Sequence, residues 1–153
     1  MIDVPVPGGE DLRLEHLVMD VNGTLSDRGR LVDGVEDRIR SLAVDLALHV
    51  VSADTFGTAS ELAEDLGAAF HRVHTGADKR AYVERLGAAG CVAIGNGAND
   101  IAMFEAAGLS IAVLGPEGAH TGAMAAATIA CRSIADALDL LLTPAALTAT
   151  VRP

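Results

Sequence analysis

The chain has 153 residues, half of them hydrophobic and 21% charged, which fits one domain (1–153) with a full core. A net charge of −10 excludes a phosphate-rich partner such as DNA or RNA over most of the surface, and no run of Lys and Arg offers a local exception. The longest uncharged stretch, Gly118 to Cys131, contains His120, Thr121 and Thr128 and is too short and too polar to span a bilayer.

Residues 1–13 carry Asp3, Glu10 and Asp11 and no long apolar run, unlike a signal peptide, so a cytoplasmic protein without a membrane partner is expected. Cys91 and Cys131 lie far apart and are read as free thiols. A mean hydropathy of +0.36 is high for a soluble monomer and predicts a homo-oligomer.

Ile2–Val6, the Pro7-Gly8-Gly9 turn and Leu12–Leu14 predict a small edge hairpin within residues 1–14. Apolar runs follow at Leu17–Val21, Leu46–Val51, Ala68–Val73, Cys91–Ile94, Ser110–Leu114 and, more weakly, Ala127–Cys131. Continuous rather than alternating runs suit strands buried on both faces of a parallel sheet. Residues 26–34 read as a polar loop or second hairpin. Helices are predicted at Val35–Ala43, with Val35, Ile39, Leu42 and Ala43 on one face, and at Thr58–Leu66. Ala77–Leu86, presenting Ala81, Val83 and Leu86, follows, then Asp100–Ala107 and Ile134–Leu142. Met103 and Phe104 belong to helix packing, and the tail 143–153 shows no clear pattern. Alternating strands and helices give an α/β fold, an open parallel sheet with helices on both faces.

Ligands of such sheets sit beyond the carboxyl ends of the strands. The first strand runs into Asp20-Val21-Asn22-Gly23-Thr24-Leu25, the second ends at Ser52, the fourth runs into Gly95-Asn96-Gly97-Ala98-Asn99-Asp100, and Lys79 opens the helix before it. All four converge on one sheet edge. Asp20 is a carboxylate at that edge, able to act as a nucleophile, and the N–H groups of Val21–Thr24 can cradle an anion, with Gly23 permitting the tight turn. Ser52 offers a hydroxyl and Lys79, rather than the adjacent Arg80, a fixed positive charge. Asp54 is read first as a helix-capping or loop residue, and His49, His71, His74 and His120 show no ligand spacing.

Those four segments, in that order, resemble the motifs of the haloacid dehalogenase superfamily over about Glu15 to Ala130. Their spacing leaves no room for a cap domain, and the Gly-x-Gly-x-Asn-Asp pattern at 95–100 is similar to the P-type ATPase phosphorylation domain. The resemblance implies a Rossmann-like three-layer core and an aspartyl phosphate on Asp20. It implies phosphate contacts from Val21, Gly23, Thr24, Ser52, Ala53, Lys79 and Asn99, with Asn99 orienting Lys79 or the phosphoryl group. It further implies Mg²⁺ held by Asp20, the carbonyl of Asn22, Asn96 and Asp100.

Two positions depart from the pattern. Asn22 stands where phosphatases of the superfamily carry an acid–base Asp, and lost acid–base help is worth about 10²–10⁴ in rate. Asn96 stands where a metal-binding Asp is common, and an amide brings no charge to the ion. The expectation is a slow Mg²⁺-dependent phosphatase of a small phosphomonoester. The alternative is a regulatory phosphoacceptor or binding module with a degenerate site. Carbon–halogen hydrolysis is disfavoured because Mg²⁺-type chemistry in the fourth motif would then be unnecessary. Without a cap the site is open, so a partner subunit shapes it or the substrate is large.

Overall fold

The computed structural model describes residues 1–54 and 57–153. Its ten strands among these residues are β1 (Ile2–Val4), β2 (Leu12–Leu14), β3 (His16–Met19), β4 (Ser26–Asp27), β5 (Arg30–Leu31), β6 (Ala47–Ser52), β7 (Ala69–Arg72), β8 (Cys91–Gly95), β9 (Leu109–Val113) and β10 (Ile129–Cys131). Its helices are α1 (Val35–Leu42), α2 (Ala59–Asp65), α3 (Gly76–Leu86), α4 (Ile101–Ala106), α5 (Thr121–Ala126), α6 (Ile134–Leu141) and α7 (Pro144–Val151). Six strands form one parallel sheet in the order β10-β9-β8-β3-β6-β7. β1 and β2 pair as a separate antiparallel sheet, as do β4 and β5.

The chain lays β6 and β7 outward on one side of β3, then returns to lay β8, β9 and β10 on the other. The direction of winding therefore reverses between β3 and β8, and a crevice opens there at the carboxyl ends of the strands. Register aligns the two rims. Met19 pairs with Ile94 on β8 and with Val50 on β6, so Asp20, Gly95 and Val51 all fall one residue beyond those pairs.

Side-chain alternation sorts the sheet into two buried faces. Leu17, Met19, Val92, Ile94, Leu109, Ile111 and Val113 face α1, α6 and α7. Val18, Val51, Cys91, Ala93 and Ala112 face α3, α4 and α5. Small residues on this second face let those helices approach closely, which brings the start of α3 down onto the crevice.

The predicted strands and five helices form, with ends shifted by a residue or two. Four details differ. Ala43 is exposed, because α1 presents only Val35, Ile39 and Leu42 to the core. On α3, Ala81 is exposed and the buried stripe runs through Lys79 and Val83, with Leu86 half-buried below them. The tail is ordered as α7: Thr143 precedes Pro144 at the first helical turn, where a missing N–H costs nothing, and Leu147 is buried. α5 also escapes sequence patterning, being Ala-rich, and starts at His120, whose Nδ1 accepts from the N–H of Gly122.

His16, His49 and Tyr82 form a chain beneath α3, His16 Nδ1 to His49 Nε2 at 3.1 Å and His49 Nδ1 to the Tyr82 hydroxyl at 2.9 Å. Burial first, and then the neighbouring His16, holds His49 below the usual histidine range. Burial pushes the Cys91 thiol up to about 11, so it is inert, and both cysteines are free. Among the described residues no single helix is long and apolar enough to cross a membrane.

Candidate active site

Lys79 is the centre of the site. It lies in the first turn of α3, where the helix dipole disfavours a positive charge, and its side chain is only 1% exposed. The α3 start is fixed by a capping box: Thr75 Oγ1 accepts from the Asp78 N–H at 3.2 Å, and Asp78 Oδ2 accepts from the Thr75 N–H at 2.8 Å. Nζ donates to Asp20 Oδ1 at 2.7 Å and to Asp100 Oδ1 at 2.6 Å. Arg80 turns the other way, to Glu84 and Glu105 on the surface, so Lys79 is the residue that enters the site.

Asp100, wholly buried, shapes the loop after β8. Its second oxygen accepts from the N–H groups of Asn96 and Gly97, both at 2.9 Å. A methyl group at Gly95 would collide with that carboxylate, which accounts for a glycine there. Asn99 is exposed and folds its side chain back over Gly97; the orientation of Lys79, expected of Asn99, comes from Asp20 and Asp100.

Two buried carboxylates thus share one ammonium. Burial is the largest influence on Asp20, with Asp100 acting the same way; Lys79 and the Val21 N–H oppose them, and the carboxyl ends up raised to about 6. Burial alone would lower Lys79, but Asp20 and Asp100 outweigh it and hold the ammonium above its ordinary value. The cluster carries one uncompensated negative charge.

The Asp20 loop turns tightly. The Thr24 and Ser26 N–H groups both donate to the Val21 carbonyl, and Gly23 adopts φ +75°. A methyl at Gly23 would lie 2.5 Å from Asn96 Nδ2 and 2.7 Å from Glu117 Oε2. Gly23→Ala is therefore expected to lower stability by about 1–3 kcal/mol through left-handed strain and overpacking. Thermal unfolding checks this, and an unchanged midpoint would show that the loop can move aside.

Ser52, buried at the end of β6, accepts from the Asp54 N–H at 3.0 Å, which leaves its own hydroxyl proton to donate. Ala53 is exposed beside it. Asp54 behaves as a capping residue: Oδ1 accepts from the Ala59 N–H at 2.7 Å, and Oδ2 meets Arg72 at 3.1 Å. It is committed to α2 and β7 and supplies no substitute acid.

One part of the site escaped sequence reading. After β9 the chain runs through Gly115-Pro116-Glu117-Gly118, a turn closed by the Gly118 N–H on the Gly115 carbonyl at 3.0 Å. It lies over the Asp20 loop and brings the exposed carboxylate of Glu117 beside Gly23. The signal was available, since Gly-Pro-x-Gly follows a parallel strand at the edge where ligands gather. A cavity of about 340 Å³ opens between this turn and the β4–β5 hairpin, lined by Asp27, Arg30, Leu31, Val32, Asp33 and Pro116. A larger one, about 420 Å³, lies on the β1–β2 hairpin, and no residue of the site lines it.

Residues 73–137 match the family model of haloacid dehalogenase-like hydrolases, a span that contains Lys79 and the 95–100 loop. Over that span the chain is similar to the haloacid dehalogenase-like hydrolases. Its fold is similar to that of cobalt-bound deoxy-D-mannose-octulosonate 8-phosphate phosphatase of Haemophilus influenzae, at 19% identity over 86% of this chain and 89% of that one, TM-score 0.72. It is also similar to 3-deoxy-D-manno-octulosonate 8-phosphate phosphatase of Moraxella catarrhalis in complex with magnesium, phosphate and KDO, at 17% identity over 91% and 94%, TM-score 0.72. Apo phosphoserine phosphatase aligns at 17% identity over 86% and 99%, TM-score 0.70. In sequence, the uncharacterized protein MJ0073 of Methanocaldococcus jannaschii is 46% identical over 61 residues, 40% of this chain. That match covers 66% of the relative, just under two thirds of its length. Asp20, Ser52, Lys79 and Asp100 stand at the carboxyl edge of the sheet, with Asn22 and Asn96 at the two positions that depart from the pattern the sequence resembles.

Proposed function

We propose that this chain is an Mg²⁺-dependent phosphohydrolase that forms an aspartyl phosphate on Asp20 from a small phosphomonoester and releases it slowly. The observation that carries this reading is the buried Asp20–Lys79–Asp100 cluster at the β3/β8 crevice. A purely structural cluster has no reason to retain an uncompensated carboxylate there.

That excess charge also fits a divalent cation. Asp20 Oδ1 is occupied by Lys79, which leaves Oδ2, and among the described residues the Asn22 carbonyl accepts no backbone hydrogen bond. These two oxygens would hold the ion, with Asp100 close enough to contribute charge. Mg²⁺ keeps several waters and needs only one or two carboxylates from the protein. When bound, the ion would offset the repulsion between Asp20 and an incoming phosphate.

The chain's own groups account for the rest. The Asp20 carboxylate forms the bond to phosphorus through the oxygen that does not hold the ion, as the ester P–O bond breaks and its electron pair leaves with the alkoxide. Lys79, the Ser52 hydroxyl and the N–H groups of the 21–24 loop neutralise the phosphoryl oxygens. Asn22 has no proton to exchange, so that position offers the leaving group no acid and the attacking water no base. The phosphoenzyme therefore persists, as the likeness to P-type ATPases suggests, and the regulatory phosphoacceptor reading rests on the same residue.

p-Nitrophenyl phosphate and acetyl phosphate test this directly, because their leaving groups need no proton. Wild type should show a burst of one equivalent followed by slow turnover. Asn22→Asp should raise the steady rate by about 10²-fold or more, and Asp20→Asn should release nothing. If all three proteins are inert and none binds beryllofluoride with Mg²⁺, the enzyme reading is wrong. The homo-oligomer and a cytoplasmic location remain parts of this proposal.

A further inference from the structure

We infer that Asn96 is a positioning residue: its side-chain amide fastens the Gly115–Gly118 turn over the Asp20 loop, and it takes no part in holding a metal. The fastening stands on geometry alone; the statement about the metal rests on the phosphohydrolase reading.

Both ends of the amide are used inside the protein. Nδ2 donates to the Gly118 carbonyl at 3.0 Å, and Oδ1 accepts from the Thr24 hydroxyl at 3.1 Å. The orientation of the amide follows from its partners, because a carbonyl can only accept and must therefore face the nitrogen. The backbone of Asn96 is tied to the same segment: its carbonyl accepts from the His120 N–H at 2.8 Å. Its own N–H goes to Asp100. One residue thus links the Asp20 loop, the loop after β8 and the turn after β9.

The turn then buttresses the phosphoryl cradle. A methyl at Gly115 would come within 2.5 Å of the Gly23 carbonyl, so the two backbones touch with no space for a side chain. This arrangement explains an amide at position 96. An aspartate there would set an oxygen lone pair against the Gly118 carbonyl where the structure has an N–H, and the turn would be pushed off Gly23. The charge that an aspartate gives to an ion is exchanged for a donor that holds the turn.

Two variants separate fastening from ligation. Asn96→Asp keeps shape and the Oδ1 acceptor but removes the donor; Asn96→Ala removes both bonds without adding charge. Hydrogen exchange of the Gly118 and His120 amides should speed up about tenfold or more in both, while the Asp20 amide, bonded to Ile94 in the sheet, keeps its wild-type rate. Binding of Mn²⁺ alone, followed by electron paramagnetic resonance, should be within about twofold of wild type in Asn96→Ala. Wild-type exchange at Gly118 and His120 in either variant overturns the fastening. A tenfold loss of Mn²⁺ affinity in Asn96→Ala overturns the exclusion of Asn96 from the metal site. Absence of Mn²⁺ binding in every protein, wild type included, counts against the phosphohydrolase reading, and the exchange rates still decide the fastening.

Discussion

Asp20→Asn should melt at a higher temperature than wild type at pH 7 in the presence of EDTA, while releasing no phosphate. The carboxylate is buried, and burial together with the facing Asp100 raises its pKa to about 6 from the ordinary 3.8. An acid raised on folding contributes stability that is fully present below pH 3.8 and is lost as pH rises through about 6. At pH 7 the folded protein therefore carries the cost of ionising Asp20. A gap of this size corresponds to roughly 3 kcal/mol as an upper bound, and about 1–3 kcal/mol is the expected gain for the amide. In a chain of this size each kcal/mol raises the melting temperature by roughly 2–4 °C.

The amide keeps the favourable part of the site. Its oxygen can still accept from Lys79 Nζ, and Asp100 alone then balances the ammonium. Calorimetry at two pH values makes the test specific. The advantage of Asp20→Asn should be present at pH 7 and shrink toward nothing near pH 4, where wild-type Asp20 is protonated. Mg²⁺ should raise the melting temperature of wild type more than that of the variant. A variant no more stable than wild type at pH 7 would mean that Lys79 already compensates both carboxylates, and the argument for an ion at this site would lose its footing.

Much of the fold is legible because parallel strands bury both faces. Runs such as Leu46–Val51 and Cys91–Ile94 stand out without any partner being known. What periodicity misses is set by tertiary context. α7 is held by Leu147 in the core and started by Thr143-Pro144, yet its Ala and Thr residues show no strong face. Ala81 looks like a core residue until Lys79 takes the inward stripe of α3, an ionic group in an apolar position that only its two carboxylates make tolerable. The site divides in the same way. Asp20, Ser52, Lys79 and Asp100 follow from strand ends, because chemistry in such sheets gathers there. The partners of Asn96 and the nearness of Glu117 do not, since they depend on where a turn 19 to 22 residues further along comes to rest.

Lys79→Met should have the opposite effect on stability and remove activity as well. The methionine fills the same channel through α3, but Asp20 and Asp100 then face each other in a buried site without the ammonium that donates to both. Removing one partner of a buried ionic cluster typically costs about 3–5 kcal/mol, because the remaining charge stays unpaired. Phosphoryl transfer should fall by at least about 10²–10³-fold with the loss of the positive charge. The pH dependence again has a definite sign. Lys79 is raised above its ordinary 10.5, so its contribution is fully present below that value and is lost only as pH rises through the still higher folded one. Wild type should therefore show no loss from this group between pH 6 and 10. Lys79→Met should regain stability on acidification, as one of the two carboxylates takes up a proton.

The double variant Lys79→Met/Asp20→Asn isolates the interaction. It leaves a single buried carboxylate, Asp100, which still accepts from the Asn96 and Gly97 N–H groups. If the three groups act as one electrostatic unit, the double variant is more stable than Lys79→Met alone by more than the gain Asp20→Asn gives in wild type. Additive effects would show that Lys79 and Asp20 are each stabilised by something other than the other, and the 2.7 Å contact between them would then be incidental.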